Sequence, residues 1–326
     1  MNGNPYLGSC AQLFDVRLST MEEGKARGTR IVDVTYGELQ FTILPDRCMD
    51  LYSLRYRSQG MAFLTPAGIV HPSYHSGIGM SWHRAFGGGL LATCGLQNIG
   101  VADDTPDLTI HGRIGNTPAS DFGIERDEDG LGCKIHGTMT ESMLFGAHLT
   151  LRRVYRLRAE ENVIRFTDII ENKGYERVPV SLLYHFNLGY PLISEKAKAV
   201  IPSTEIIPRN DHAATGLSYI YDILPPTPNF EEMVYSHRVS ENIVGVDNPD
   251  IDVSMRIAFT SDHLLDRVMQ WKMFGQGNYV MGLEPASCTL DGRKNAIADG
   301  SQKYLEPGQI CQNTFTISFA PYGGHV

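Results

Sequence analysis

The chain has 326 residues, of which 42% are hydrophobic and 20% charged, with a formal net charge of −9. These values exclude the low-hydrophobicity, high-charge composition of disordered proteins. The negative charge argues against nucleic acid as a partner, because binding to a phosphate backbone requires clustered lysine and arginine. The length permits one large β-domain or two ordinary ones, and we expect a single domain over residues 1–326.

The N-terminus lacks the basic start and apolar stretch of a secretion signal, and no apolar segment approaches the ~20 residues that span a bilayer. We therefore expect a cytoplasmic protein without a membrane partner. The cysteines are scattered singly, without a Cys-x-x-Cys pair, which indicates buried thiols and neither a zinc site nor a disulfide framework. They are Cys10, Cys48, Cys94, Cys133, Cys288 and Cys311.

Alternation of apolar and polar residues is the dominant pattern along the chain, and it is typical of strands with one buried face. It predicts strands over 39–43, 148–158, 164–170, 253–259 and 311–319. Acidic, Asn and Gly residues at 160–162, 171–174 and 306–308 predict turns. Residues 262–274 fit either a helix or a strand, and both interpretations stay open.

Two segments predict long ordered loops, the Gly-rich residues 77–100 and the Pro-rich residues 202–230. Loops of this kind often carry binding residues. No repeat of 20–50 residues indicates a propeller or solenoid. The prediction is an all-β fold, a large antiparallel β-sandwich with few short helices.

Three short motifs carry side chains suited to proton transfer. His111 lies in Ile-His-Gly-Arg, His185 in Tyr-His-Phe-Asn-Leu-Gly and Glu284 in Gly-Leu-Glu-Pro. A carboxylate that accepts a proton and imidazoles that donate one can perform general acid-base catalysis near neutral pH. Apolar neighbours of Glu284 would raise its pKa by desolvation. A salt-bridged Glu, a core histidine at 185 and a turn-capping histidine at 111 are the structural alternatives.

The motifs resemble the aldose 1-epimerase (galactose mutarotase) superfamily, and most closely its DUF4432 branch. His111-Gly112, the segment 185–189, Leu283-Glu284-Pro285 and the turn 304–309 follow the order and spacing of that superfamily. The Asn-Arg pair of mutarotases is not recognisable, and the segments 46–51 and 82–90 resemble the DUF4432 branch instead. The second histidine stands in Tyr-His-Phe-Asn, where mutarotases have His-x-Tyr-Phe-Asn.

The resemblance implies a galactose mutarotase-like β-sandwich and a cofactor-independent sugar epimerase that binds a small carbohydrate. In such an enzyme Glu284 would take the proton of the anomeric hydroxyl and His185 would protonate the ring oxygen. His111 would hold and polarise the ring. The expected substrate-binding residues are Arg113, Arg47, Asp50, Arg84 and Asn187, because sugar sites use charged and amide groups for bidentate hydrogen bonds.

Two other functions fit the same residues. One is an isomerase, epimerase or lyase for an anionic or modified sugar, such as a uronate or sugar phosphate, with Arg47, Arg84 and Arg113 binding the anionic group. The other is a carbohydrate-binding protein without catalysis, since fold similarity does not establish function. The sequence decides neither the sugar nor the oligomeric state, and a homodimer stays open.

Two further groups of residues are of interest in the same part of the chain. His71, His75 and His83 can be read as a metal set, but a Gly-rich loop provides no register to fix three ligands, and we predict no metal there. Trp82 and Trp271 could offer an apolar platform to a sugar ring, although burial in the β-core is the interpretation we favour.

Overall fold

The computed structural model describes residues 4–103 and 108–324. Its strands are β1 (Phe14–Thr20), β2 (Arg30–Tyr36), β3 (Leu39–Leu44), β4 (Asp50–Tyr56), β5 (Gln59–Gly60), β6 (Leu91–Leu96), β7 (Ser120–Arg126), β8 (Gly132–Ser142), β9 (His148–Arg158), β10 (Val163–Asn172), β11 (Val178–Gly189), β12 (Lys198–Val200), β13 (Ser203–Pro208), β14 (Met233–Val239), β15 (Ile243–Asn248), β16 (Val253–Ser261), β17 (Arg267–Gly275), β18 (Asn278–Ala286), β19 (Lys303–Leu305) and β20 (Ile310–Ala320). The α-helices are α1 (Ser81–Ala85), α2 (Asp211–Ala214) and α3 (Arg293–Ala298), and 3-10 turns lie at Cys10–Gln12, Gly24–Ala26, Pro72–Tyr74, Ile114–Asn116 and Leu217–Tyr219.

The strands form three antiparallel sheets. The first has the order β1-β2-β3-β4-β5, and the second has the order β12-β15-β16-β20-β10-β9-β8-β7. The third has the order β13-β14-β17-β18-β11-β19, with β6 also paired to β11. One hydrophobic core contains buried side chains from all three sheets. The predicted fold class, an antiparallel β-sandwich with few short helices, is confirmed.

The ambiguous segment 262–274 contains strand β17, which pairs with β14 on one side and β18 on the other. The two segments predicted as loops are only partly loops. Residues 77–100 include helix α1 and strand β6, and residues 202–230 include strand β13 and helix α2. Strand β6 is short and has no clear alternation, so its extended form depends on its pairing with β11.

A buried ionic cluster joins the sheets beneath the third sheet. Arg153 on β9 is 0% exposed, and its guanidinium donates two hydrogen bonds of 2.7 Å to Asp168 on β10. It donates a third, also of 2.7 Å, to Asp50 on β4. Tyr184 on β11 donates to Asp168 over 2.8 Å. These charge-assisted bonds compensate for the desolvation of the ions and fix four strands relative to one another.

None of the helices in the described ranges has the length and apolar character required to cross a membrane.

Candidate functional site

His185 and Glu284 lie opposite each other on neighbouring strands, β11 and β18. The register pairs Leu183 with Ala286 and Phe186 with Leu283, so residues 185 and 284 stand across from one another. In this pairing their side chains project to the same face of the sheet. His185 Nε2 lies 3.3 Å from Glu284 Oε1, so the two groups are close enough to share a proton.

Both residues are buried, with Glu284 1% exposed and His185 5% exposed. Neither His185 Nδ1 nor Glu284 Oε1 has an aligned hydrogen-bond partner within the described part of the protein. Buried polar atoms without partners are rare in folded proteins and frequently mark functional positions. Both atoms therefore have hydrogen-bonding capacity that the folded chain does not use.

Burial acts on the two groups in opposite directions. Desolvation raises the pKa of Glu284 well above its usual range, and the nearby carboxylate of Glu232 raises it further. Desolvation lowers the pKa of His185 to about 4. Burial therefore favours the uncharged form of both groups, a protonated carboxyl on Glu284 and a neutral imidazole on His185.

His111 reaches the same site from a corner between strands. Its backbone has a positive φ of 56°, and the following Gly112 has a φ of 72°. A Cβ atom at position 112 would lie 2.2 Å from the carbonyl oxygen of Gly95, so this close approach requires glycine. The Nδ1 atom of His111 accepts a hydrogen bond from the backbone N–H of Gly100 over 3.4 Å. Its Nε2 therefore carries the proton of the neutral ring.

The three predicted acid-base residues border one cavity of about 300 Å³. The ring centroids of His111 and His185 are 5.7 Å apart. Burial lowers the pKa of His111 well below its ordinary value, with smaller effects from His185, His83 and Arg209. The full lining is Trp82, His83, Phe86, Gly100, Val101, Ile110, His111, His185, Arg209, Glu232, Val234, Trp271, Glu284 and Leu290.

Both tryptophans contact the acid-base residues. Trp82 lies with its ring centroid 4.5 Å from that of His111, and Trp271 lies 5.4 Å from His185 in an edge-on arrangement. Each is half-buried. The expectation that they are buried in the β-core is wrong, because α1 and β17 present them to the cavity. An aromatic face next to polar groups suits the C–H face of a sugar ring.

Two charged lining residues were not predicted from the sequence. Arg209, just after β13, donates from Nε to Asp291 Oδ1 over 3.0 Å. Glu232, just before β14, accepts a hydrogen bond of 2.8 Å from the indole N–H of Trp271. Both lie in connections whose position is set by tertiary structure, so no local pattern marks them. Their charged groups place hydrogen-bonding capacity opposite the acid-base pair.

Arg47 and Asp50 lie outside the cavity that holds His111, His185 and Glu284. Arg47 Nη1 donates to the carbonyl of Val70 over 2.8 Å, and burial lowers its pKa to about 10. Asp50 belongs to the buried ionic cluster, where burial raises its pKa to about 6. The two residues border a small adjoining cavity of about 20 Å³.

The other predicted substrate-binding residues also lie outside the lining. Arg84 is exposed on α1, and Arg113 is half-buried in the corner that follows His111. Asn187 is 0% exposed and donates to the carbonyl oxygens of Gly89 and His185 over 3.0 and 2.9 Å. Asn187 thus holds the backbone around His185 in place and does not border the cavity.

The three histidines considered as a metal set, His71, His75 and His83, lie in different local surroundings. His71 Nδ1 is 2.8 Å from Ser73 Oγ, and His75 Nδ1 is 3.1 Å from Ser81 Oγ. His83 borders the cavity. Within residues 4–103 and 108–324, no group of three or more His, Cys, Asp or Glu side chains is arranged to hold a metal ion.

Solved structures with the same fold include several sugar epimerases by name. A protein named as a candidate aldose 1-epimerase from Klebsiella pneumoniae is 26% identical, with a TM-score of 0.88 over 95% of this chain and 84% of that one. A galactose mutarotase-like protein from Clostridium acetobutylicum is 12% identical, with a TM-score of 0.67 over 95% and 99% of the two chains. Galactose 1-epimerase from Lactobacillus acidophilus is 13% identical, with a TM-score of 0.63 over 96% and 100%.

The fold and the structural matches define a galactose mutarotase-like β-sandwich protein. Residues 26–319 match the model of a domain of unknown function, DUF4432. The chain therefore belongs to the DUF4432 family. Among curated proteins, no sequence is significantly similar to it.

Proposed function

We propose that the protein is a cofactor-independent aldose 1-epimerase that interconverts the anomers of a neutral sugar. The observation that carries the proposal is the approach of His185 Nε2 to Glu284 Oε1, 3.3 Å apart at the wall of a cavity of about 300 Å³. Anomer exchange requires one group that takes a proton and one that gives it at the same sugar. A pair that carries one proton supplies both.

The reaction begins with the pair in its carboxylate and imidazolium form, reached when the shared proton passes from Glu284 to His185. Glu284 takes the proton of the anomeric hydroxyl while His185 gives its proton to the ring oxygen. The C1–O5 bond breaks and an aldehyde forms at C1. Rotation about C1–C2 turns the other face of the aldehyde towards O5, and closure reverses both proton transfers.

His111 is positioned to orient the sugar. Its neutral ring has the Nε2 proton free for donation, because Nδ1 already accepts from Gly100. A donated hydrogen bond to a sugar oxygen would stabilise charge as it develops during ring opening. Trp82 and Trp271 enclose the same space and exclude water, which strengthens these polar interactions.

The charges of the cavity favour a neutral sugar over a uronate or sugar phosphate. The three arginines predicted to bind an anionic group, Arg47, Arg84 and Arg113, lie outside the lining. Arg209 borders the cavity, but its guanidinium is already paired with Asp291. Since the carboxylate of Glu232 borders the same space, a further negative charge would be repelled.

The test is anomer exchange measured by NMR exchange spectroscopy or polarimetry over a panel of neutral aldoses, uronates and sugar phosphates. We expect accelerated exchange for at least one neutral aldose and weaker or no acceleration for the anionic sugars. Saturable binding of a neutral sugar without acceleration would contradict the proposal and favour a carbohydrate-binding protein. Selective turnover of an anionic sugar would favour the uronate or sugar-phosphate alternative.

A further inference from the structure

A second cavity of about 370 Å³ adjoins the acid-base cavity. Four residues border both of them: His83, Phe86, Glu232 and Trp271. The second cavity is completed by Phe63, Thr65, Pro66, Ala67, Met273 and Asn278. The two spaces are therefore compartments of one cleft, and a single ligand can occupy both.

The lining of the second compartment combines apolar surfaces with exposed polar groups. Phe63 and Met273 contribute apolar surface, and the shared Phe86 and Trp271 add aromatic surface. Asn278 begins β18 and is exposed. Glu232 Oε2 is held by the indole of Trp271. Aromatic surface for C–H groups, together with amide and carboxylate groups for hydroxyls, matches the two faces of a sugar ring.

The acid-base residues are confined to the first compartment. His111, His185 and Glu284 border it and do not border the second. The reducing end of a sugar must therefore lie in the first compartment, where the proton transfers occur. A group attached at C1 would block anomerisation, so whatever extends into the second compartment must be attached at another hydroxyl.

We propose that the second compartment is a subsite for the non-reducing sugar of a reducing disaccharide. The inference rests on the proposed function for its assignment of the reducing end, but the subsite itself is a binding site that can be measured without turnover. In this arrangement the non-reducing sugar packs on Phe86 and Trp271, and Asn278 and Glu232 bind its hydroxyls. Its binding energy holds the reducing sugar against the acid-base pair.

The decisive variant is Ala67→Trp, which fills the second compartment without touching the first, because Ala67 borders only the second. The matched control is Leu64→Trp, a substitution at a neighbouring residue that is 47% exposed and borders neither compartment. Each variant is compared with the wild type on reducing disaccharides (lactose, maltose, cellobiose, gentiobiose and melibiose) and on glucose and galactose. Thermal unfolding shows whether each variant is folded.

Two measurements are made on each protein. Binding is followed by tryptophan fluorescence, since both tryptophans of the chain border the cleft. Anomer exchange gives kcat/KM. We expect the wild type to favour a disaccharide over its monosaccharide by roughly 10- to 100-fold, below the bound of about 250-fold that ~0.3 kcal/mol for each of about eleven added non-hydrogen atoms sets. Ala67→Trp should remove this preference and leave monosaccharide binding and turnover within about twofold of the wild type.

Equal affinity of the wild type for disaccharides and monosaccharides would overturn the inference, as would an equal effect of Ala67→Trp on both. A loss of preference in Leu64→Trp would overturn it as well. If disaccharide binding depends on the second compartment but no sugar is anomerised, the subsite stands and the proposed epimerase activity fails. If monosaccharides are anomerised without preference for disaccharides, the activity stands and the subsite fails.

Discussion

Substitution of Glu284 by glutamine separates catalysis from folding. The side chain is 1% exposed, and glutamine keeps its size and shape. Because burial raises the pKa of Glu284 well above its usual range, the neutral form of the carboxyl is favoured in the ligand-free protein, and glutamine resembles that form. The substitution therefore alters proton transfer while it leaves volume and charge nearly unchanged.

The sign of the stability effect follows from the raised pKa. In the unfolded chain Glu284 ionises near the ordinary value of ~4.3, while in the folded protein it stays protonated to a higher pH. The free energy of unfolding of the wild type therefore decreases as the pH rises above the pKa of Glu284 in the unfolded chain. The loss is about 1.4 kcal/mol for each pKa unit that separates the folded from the unfolded protein. Glutamine does not ionise, so Glu284→Gln should be at least as stable as the wild type at pH 7.

Turnover should fall by ~10²-fold or more, because a positioned general base contributes ~10²–10⁴ in rate and glutamine cannot accept the proton. A hundredfold loss corresponds to about 2.7 kcal/mol in the activation free energy. The loss falls on the transition state, so sugar affinity should change little. The result is a low kcat with a nearly unchanged KM.

The assay is anomer exchange by NMR on the best sugar, with sugar binding and thermal unfolding measured on the same samples. Glu141→Gln is the matched control. Glu141 is a second buried carboxyl with a raised pKa, and it accepts hydrogen bonds from Leu96 and Gln97 away from the cavity. Its substitution should leave turnover within about twofold. Wild-type turnover in a folded Glu284→Gln protein would falsify the mechanism.

Four further predictions rest on the same structure. His185→Asn should lower turnover by ~10²-fold or more, and the double variant with Glu284→Gln should be far from additive, because both act in one proton-transfer step; additive losses in kcat would argue against a shared step. Burial lowers the pKa of His185 to about 4, so kcat/KM should fall below about pH 4, where the pair of His185 and Glu284 binds a second proton. The free energy of unfolding should also decrease as the pH falls from ~6.5 towards that value, because His185 is protonated in the unfolded chain before it is protonated in the folded one. An acid limb near pH 6.5 in a pH profile of the folded enzyme would contradict this. Asp168→Ala should destabilise the protein by about 3–5 kcal/mol, since it leaves Arg153 buried without its bidentate partner. Asp50→Asn should lower the midpoint of thermal unfolding and leave the KM of the folded protein unchanged; a raised KM would return Asp50 to a role in substrate binding.

The strands that the sequence predicts best are those with one buried face. Residues 148–158 alternate regularly, and β9 has those bounds. Strand β6 was missed because the sequence of Leu91–Leu96 carries little alternation, and its conformation comes from pairing with β11. The segment containing β17 was ambiguous because its hydrophobic residues fit either period, and the neighbouring strands β14 and β18 decide the outcome.

The alternating pattern of β9 did not reveal that one of its buried residues is an arginine. Arg153 lies on the buried face of β9 together with Leu151 and Tyr155, although arginine is rarely found fully buried. A single sequence gives no reason to expect this, because the compensating carboxylates of Asp50 and Asp168 lie on other strands. Asp50 was predicted to bind substrate for the same reason, because its ionic partner Arg153 is about a hundred residues away along the chain and a single sequence does not show the pairing.

For the candidate site, the sequence motifs identified His185 and Glu284 on strands and His111 at a corner, and they missed Arg209 and Glu232 in other connections. His185 and Glu284 stand in short apolar motifs that fix their direction relative to the sheet, so their meeting depends only on the pairing of β11 with β18. Arg209 and Glu232 lie in connections with no such register. Their approach to the cavity is a property of the folded chain alone.

The residues around His185 and Glu284 set the geometry of the candidate site as firmly as these two side chains do. Gly282 stands two residues before Glu284, and a Cβ atom at this position would lie 2.2 Å from Glu284 Oε1 and 3.0 Å from Trp271 Cβ. Any larger residue there would displace the carboxyl group or the indole. The glycine therefore allows the carboxyl to lie flat against β18, where it meets His185 and borders the same cavity as Trp271. Because that position depends on Gly282, the candidate site requires the whole segment Gly282–Glu284 on this strand and not the glutamate alone.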